Sequence, residues 1–298
     1  MSDETGATAV TSQELRPLML SIAYRMVGSY SEAEDLVQEA FLRLHQEEHV
    51  DNPRAWLTTV TTRLAIDHLR SARVRREEYP GTWLPEPVEA DPAPDAAIRA
   101  ETLSVAVLVL LESLTPVERA VFVLREAFDY GYDEIAEIVD KSQANVRQLA
   151  VRARRHVDER RPRFEPSREQ REELARRFIA ALWEGETEPL VEMLAEDAAF
   201  YGDGGGKAPQ VWEPVIGAAA IAKMLAGFRR VAGRRGYSIR YAEVNGQAGM
   251  LGFDETGALI TAMTFDISDR AIGAIRSVVN PDKLAHISST ILPSLPPA

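Results

Sequence analysis

The 298-residue chain is 45% hydrophobic and 27% charged, contains no cysteine and carries a formal net charge of −12. That length suits two or three compact units, and the missing thiols exclude disulfides, thiolate metal sites and cysteine nucleophiles. No run approaches the ~20 apolar residues of a membrane span and no basic-then-apolar secretory signal opens the chain, so a cytoplasmic protein without membrane contact is expected.

The acidic balance conceals two basic stretches. Arg54, Arg63, Arg70, Arg73, Arg75 and Arg76 fall in residues 54–76 against Asp67, and seven arginines fall in 143–163 against Asp158 and Glu159. Such clusters neutralise phosphates while an acidic remainder weakens indiscriminate adhesion to nucleic acid. Either cluster alone fits a solvated helix face equally well.

Residues 12–79 are predicted as a first all-α unit. Ser31 and Glu34 form a capping box, after which Ala33, Leu36, Val37, Ala40, Phe41 and Leu44 recur with helical period. Asn52-Pro53 provides an N-cap with proline at the first helical position. The helix it opens carries Trp56, Leu57, Val60, Leu64 and Leu69, and Trp56 reads as core rather than as a base-stacking residue. Residues 80–97 contain Pro80, Pro85, Pro87, Pro92 and Pro94 with Glu86, Glu89 and Asp91, a composition that predicts an extended acidic linker. Trp83 and Leu84 lie inside it with nothing local to bury them.

Residues 98–160 are predicted as a second all-α unit. Thr115-Pro116-Val117-Glu118 is a capping box that starts a helix through Phe128, and Gly131 marks its break. A short helix over 133–139, a tight turn at Asp140-Lys141-Ser142 and a helix over 143–157 make a helix-turn-helix. In its second helix Val146, Leu149, Ala150 and Ala153 face inward. Gln143, Ala144, Arg147 and Gln148 face out near its N-terminal end, where such side chains can reach base edges in a major groove, and Arg152, Arg154 and Arg155 further along can meet phosphates. An ordinary helical hairpin with a polar surface is the alternative.

Residues 168–292 differ in character. Helices are expected over 168–184 (stopped by Gly185), 188–195 and 217–230, then four strands over 237–244, 248–253, 258–267 and 271–279 in an antiparallel meander. The whole is a multidomain chain, two all-α units followed by an α+β unit.

Three motifs point to a family. Ala33-Glu34-Asp35-Leu36-Val37-Gln38-Glu39-Ala40-Phe41 closely resembles the core-polymerase-binding helix of extracytoplasmic-function (group IV, sigma-70 family) sigma factors. Asn52-Pro53-Arg54-Ala55-Trp56-Leu57, continuing through residues 63–70, resembles their promoter-melting segment. Leu114-Thr115-Pro116-Val117-Glu118-Arg119 with Tyr132-Asp133-Glu134-Ile135-Ala136 resembles the domain that reads the −35 element. The resemblance implies a non-enzymatic transcription-initiation factor whose partners are core RNA polymerase and promoter DNA. It places polymerase contacts at Glu32, Asp35, Leu36 and Glu39, −10 contacts at His49, Asn52, Arg54, Arg63, Asp67, Arg70 and Arg73, and −35 contacts at Gln143, Ala144, Asn145, Arg147, Gln148, Arg152 and Arg155.

The last third resembles the SnoaL-like fold, a cone with an interior pocket, which one subgroup of these sigma factors carries together with three short motifs. All three occur here, as Trp83-Leu84-Pro85-Glu86-Pro87, Asp203-Gly204-Gly205-Gly206-Lys207 and Asn280-Pro281-Asp282-Lys283-Leu284. The resemblance implies an intramolecular regulator, with contacts at Trp83, Leu84, Pro85, Asp203, Gly204, Gly205, Gly206, Lys207, Asn280, Pro281, Asp282 and Lys283. A phosphate loop is excluded, because Tyr201 stands where its first glycine belongs and Ala208 follows Lys207. The consecutive glycines instead suit a close approach of two backbones.

The alternatives are a DNA-binding module fused to a small-molecule enzyme or ligand sensor, with Asp197, Tyr201, Asp203, Glu213 and His286 as acid–base candidates, and a plain helix-turn-helix repressor. No cofactor or metal is expected. His45, His49, His68, His156 and His286 lack ligand spacing and read as surface or packing residues.

Overall fold

Side-chain oxygens set where most of the helices begin. The computed structural model describes residues 2–89, 103–159, 166–268 and 270–287, with side chains from Glu14 onward apart from 72–75 and 77. Residues 90–97 of the expected linker, the start of the second helical stretch at 98–102, and 288–292 lie outside the described residues. The chain divides into two units, 1–77 with 91–161, and 78–90 with 162–298.

In the first unit α1 (Ser2–Val27) ends where Gly28 adopts φ 73°, and Ser29 then caps α2 (Tyr30–Gln46) by accepting from Glu32 N at 3.2 Å. The expected cap, Ser31, lies inside the first turn, because the left-handed glycine puts the extended residue two positions earlier. α2 buries Ala33, Val37, Ala40, Phe41 and Leu44 and leaves Leu36 half-buried. Asn52 caps α3 (Pro53–Glu77) by accepting from Ala55 N.

α3 buries Leu57, Thr58, Thr61, Thr62, Ala65, Ile66 and Leu69. Trp56 is only half-buried, contrary to the core assignment. The buried stripe starts one residue later and tolerates threonines, of which Thr58 bonds the Arg54 carbonyl four residues back.

α4 (Val105–Leu111) and α5 (Pro116–Phe122) follow, α5 opened by the Thr115–Glu118 capping box and continued by a π-helical turn over Val123–Ala127. α6 (Tyr132–Val139) stops at Asp140, φ 52°, and Ser142 caps α7 (Gln143–Asp158). α3 packs on α5 and α6, so both arginine-bearing segments belong to one packed unit.

In the second unit α8 (Arg168–Glu184), α9 (Thr187–Met193) and α10 (Ala218–Arg234) cover a six-stranded sheet of order β2-β1-β6-β5-β4-β3. Its strands are β1 (Leu194–Asp203), β2 (Val215–Ile216), β3 (Ser238–Val244), β4 (Gln247–Phe253), β5 (Leu259–Ser268) and β6 (Ala271–Val278), and α11 (Pro281–Leu284) follows. The expected meander is β3 to β6. The sheet is nevertheless mixed, because β1 pairs parallel to β6. Alanine and acidic residues give β1 little strand propensity; pairing with β6 and burial of Ala198 and Phe200 decide its conformation. Phe178 meets Phe265 edge-on at 5.3 Å in the core between helices and sheet.

Candidate functional site

Asp203 ends β1, and its carbonyl accepts from Val279 N (2.8 Å) and Asn280 N (3.1 Å), which fixes the end of β6 beside it. Its carboxylate has no solvent exposure. It accepts from Tyr79 OH at 2.6 Å and Leu84 N at 2.8 Å, and pairs with Lys283 Nζ at 2.7 Å. Lys283, also buried, donates to Leu84 O at 2.6 Å. Both backbone groups of Leu84 are thus satisfied by one charge pair, the condition under which burying two ions is tolerable. The ammonium lies 4.4 Å from the Trp83 ring centroid and 4.8 Å from that of Tyr79, within cation–π range. Burial and the bond donated to Asp203 push the Tyr79 phenol far above its usual range, so it stays a donor.

The attachment continues along the linker. His286 Nε2 donates to Pro87 O at 2.6 Å, Val88 and Asn245 exchange two hydrogen bonds (3.1 and 2.7 Å), and Glu89 pairs with Arg240 at 2.7 Å. Pro85 and Pro87 bring no N–H, so the buried stretch 84–88 has few donors to satisfy. Gly205 (φ 57°) is required twice over, since a Cβ there would strike the Asn280 amide and the Tyr79 hydroxyl. Lys207 pairs with Asp282 at the surface, and Asn280 caps α11.

The structure therefore gathers the three short motifs into one clasp. It adds Tyr79, Val88, Arg240 and Asn245, which sequence reasoning missed, and gives clasp contacts to Glu89 and His286, which it read as a linker acid and as an acid–base candidate or packing residue. Asn245-Gly246 carried a readable signal as the two-residue β3–β4 turn, but a turn asparagine does not reveal that its amide serves Val88 in the distant linker.

In the first unit Asp35 and Glu39 are exposed on α2, Glu39 bonded to Arg43 at 2.8 Å. Glu32, expected on the same open acidic face, instead lies 3.0 Å from His68. Leu42 is 53% exposed one turn beyond Glu39, an apolar contribution to that face that the sequence reading left out.

Of the −10 candidates, His49 pairs with Asp51 at 2.9 Å, Asn52 is the α3 cap, Arg54 is exposed and Arg70 pairs with Asp67 at 2.8 Å. The Arg73 side chain is outside the described residues. Arg63 donates to Ile138 O (2.8 Å) and Glu137 O (3.0 Å), a guanidinium on the negative end of α6. On α7 Gln143, Ala144, Arg147, Gln148, Arg152 and Arg155 are exposed and Asn145 is half-buried. Val146, Leu149, Ala150 and Ala153 are buried as expected, and Arg147 lies over the Tyr132 ring at 5.7 Å.

The acid–base candidates do not assemble. Asp197 and Glu213 are exposed, Tyr201 lies beneath Arg276, Asp203 is wholly buried and holds three donors, and His286 serves Pro87. None lines the large apolar cavity between α10 and the sheet. Among the described residues no cluster suits a metal ion and no helix is long and apolar enough to cross a membrane.

Comparison with known proteins matches the Sigma-70 region 2 family to residues 12–75 and the Sigma-70 region 4 family to residues 104–157. ECF RNA polymerase sigma factor SigJ of Mycobacterium tuberculosis is 38% identical over 286 residues, covering 91% of each chain. Probable ECF RNA polymerase sigma factor SigI of the same organism is 38% identical over 192 residues, 60% of this chain and 64% of that one. The crystal structure of M. tuberculosis SigJ superposes with TM-score 0.74 at 33% identity, over 93% of this chain and 98% of that chain.

Proposed function

The chain belongs to the extracytoplasmic-function family of RNA polymerase sigma factors, and from that premise we propose that its fused α+β unit regulates it in cis by holding the linker between regions 2 and 4. In this reading α2 recruits core polymerase through Asp35, Glu39 and the exposed Leu42. The arginine face of α3 holds the −10 strand while a base is extruded from the stack, which costs a few kcal/mol. α7 enters the major groove at −35 with Gln143, Ala144, Asn145, Arg147 and Gln148, and Arg152 and Arg155 meet phosphates.

The observation that carries the regulatory part is the clasp on Leu84. Residues 79–89 join the two promoter-reading regions in sequence, yet their hydrogen bonds go to the C-terminal unit. A linker fastened there has less chain left to span separated promoter elements. Arg63 adds a second restraint inside the first unit, because a side chain spent on α6 carbonyls is withheld from a DNA strand. Active and resting forms then differ in where the linker and Arg63 make their bonds, which is the differential contact a two-state switch needs.

The unit acts here as a regulator without catalysis. The scattered acid–base candidates, and the burial of Asp203 in an ion pair with Lys283, support that reading over a fused enzyme.

The reading is tested at the −35 end by Arg147→Ala. Polymerase carrying this variant is expected to bind promoter duplex roughly 1–3 kcal/mol more weakly than with the parent chain, with discrimination relaxed at one base position. Measured by filter binding on a promoter series, a uniform loss across all sequences would instead make Arg147 a phosphate contact, and no loss would remove α7 from the interface.

A further inference from the structure

Between α10 and the sheet the second unit forms a half-open cavity of about 620 Å³, within the range of small-molecule sites. Its walls are mainly apolar, with Leu225 and Phe228 from α10, Met250 and Phe253 from β4, and Met263 from β5. Polar groups cluster at one place. Gln210 Nε2 donates to Ser277 Oγ at 3.3 Å, Thr261 and Ser277 share a hydroxyl contact at 3.3 Å, and Gln210 Oε1 accepts from Val211 N at 2.9 Å. These contacts consume one amide hydrogen and one hydroxyl hydrogen, leaving the second of each to donate. The described lining residues include Arg229 and Arg235 and no aspartate or glutamate, so the local potential opposes a cation and favours a neutral or negative guest.

We propose that this cavity binds an apolar small molecule with one hydrogen-bond-accepting head, a carboxylate or ketone, received by Gln210 and Thr261, which the fully buried Ser277 orients from behind. The apolar walls take the body of the ligand, and the spare donors fix its orientation.

The site also touches both sides of the clasp. Gln210 rests so closely on Gly202, the neighbour of Asp203, that a Cβ there would collide with it. Pro281 and Leu284 line the cavity and flank Asp282 and Lys283. A regulatory meaning for the ligand therefore rests on the linker reading above, with occupancy felt at the Asp203–Lys283 pair.

The test titrates the full chain calorimetrically with decanoate, 2-decanone and decylamine, and locates the site with a diazirine-bearing decanoate by mass spectrometry. Saturable binding of decanoate and decanone is expected, with labels on α10 and β3–β5 and decylamine at least tenfold weaker. Gln210→Leu is expected to weaken both acceptors roughly tenfold, the size of one lost hydrogen bond, and Ser277→Ala in the same direction. Both changes leave the cavity open and remove no packed apolar group. Absence of saturable binding, labels elsewhere, equal affinity for the amine, or unchanged affinity in both variants would each overturn the proposal. Such a failure leaves the linker account standing, since that account is judged by Asp203 variants without any ligand.

Discussion

Asp203→Ala is expected to release residues 79–89 from the C-terminal unit. The carboxylate is wholly buried and accepts from Tyr79, Leu84 and Lys283. Removing it strands a buried ammonium, a backbone N–H and a phenol together. Breaking one partner of a buried ion pair costs on the order of 3–5 kcal/mol, enough to turn a docked linker into one that is mostly free. Hydrogen exchange at the Leu84 and Val88 amides reads this directly, and protection at both is expected to fall by several hundredfold. Adding Lys283→Met should restore part of it, because the uncompensated charge disappears and the remaining contacts are apolar. Unchanged protection in Asp203→Ala would mean that the apolar contacts of Leu84 hold the linker without the charge pair.

Arg119→Ala should have a comparable effect in the first unit. Arg119 is 1% exposed, donates to Arg25 O at 3.2 Å and pairs with Glu112, which also pairs with Arg76. One guanidinium on α5 thus ties α1 to α4 and, through Glu112, to α3. The alanine variant loses the pair and leaves a large cavity, an expected cost of roughly 3–5 kcal/mol. Nη2 has no partner among the described residues, so part of the burial cost of the native side chain is never recovered. Arg119→Met, which keeps the volume and removes the charge, is therefore expected to cost less than half as much. Urea unfolding followed by helix circular dichroism distinguishes the two. Equal losses would show that charge and not packing dominates.

These effects trace to residues that were unevenly legible in the sequence. The helical stripe of α2 (Leu36 apart), the Thr115–Glu118 box and the Asp140–Ser142 turn follow from local periodicity and capping chemistry, and they form as read. β1 escaped because Leu194–Asp203 is rich in alanine and acid; its conformation is decided by a strand some 75 residues away, and no local pattern announces a parallel partner.

Trp83 and Leu84 stood out as apolar residues in a proline-rich segment, and that misfit pointed to a burial site. The three short motifs came from family resemblance. What joins them is long-range: Tyr79 reaches Asp203, Val88 reaches Asn245 and Pro87 reaches His286. Glu32 and Arg63 looked free on their helices for the same reason, since their partners His68 and the α6 carbonyls come from packing that helical spacing does not encode.

Transcription from a cognate promoter by purified core polymerase, with the full chain and its Asp203→Ala variant at matched concentrations, probes cis regulation most directly. Both proteins are expected to give core-dependent, promoter-specific transcript, and the variant several-fold more, because its released linker lets regions 2 and 4 reach their elements. Equal output from the two would contradict the regulatory role of the clasp, and no core-dependent transcript from either would contradict the account as a whole.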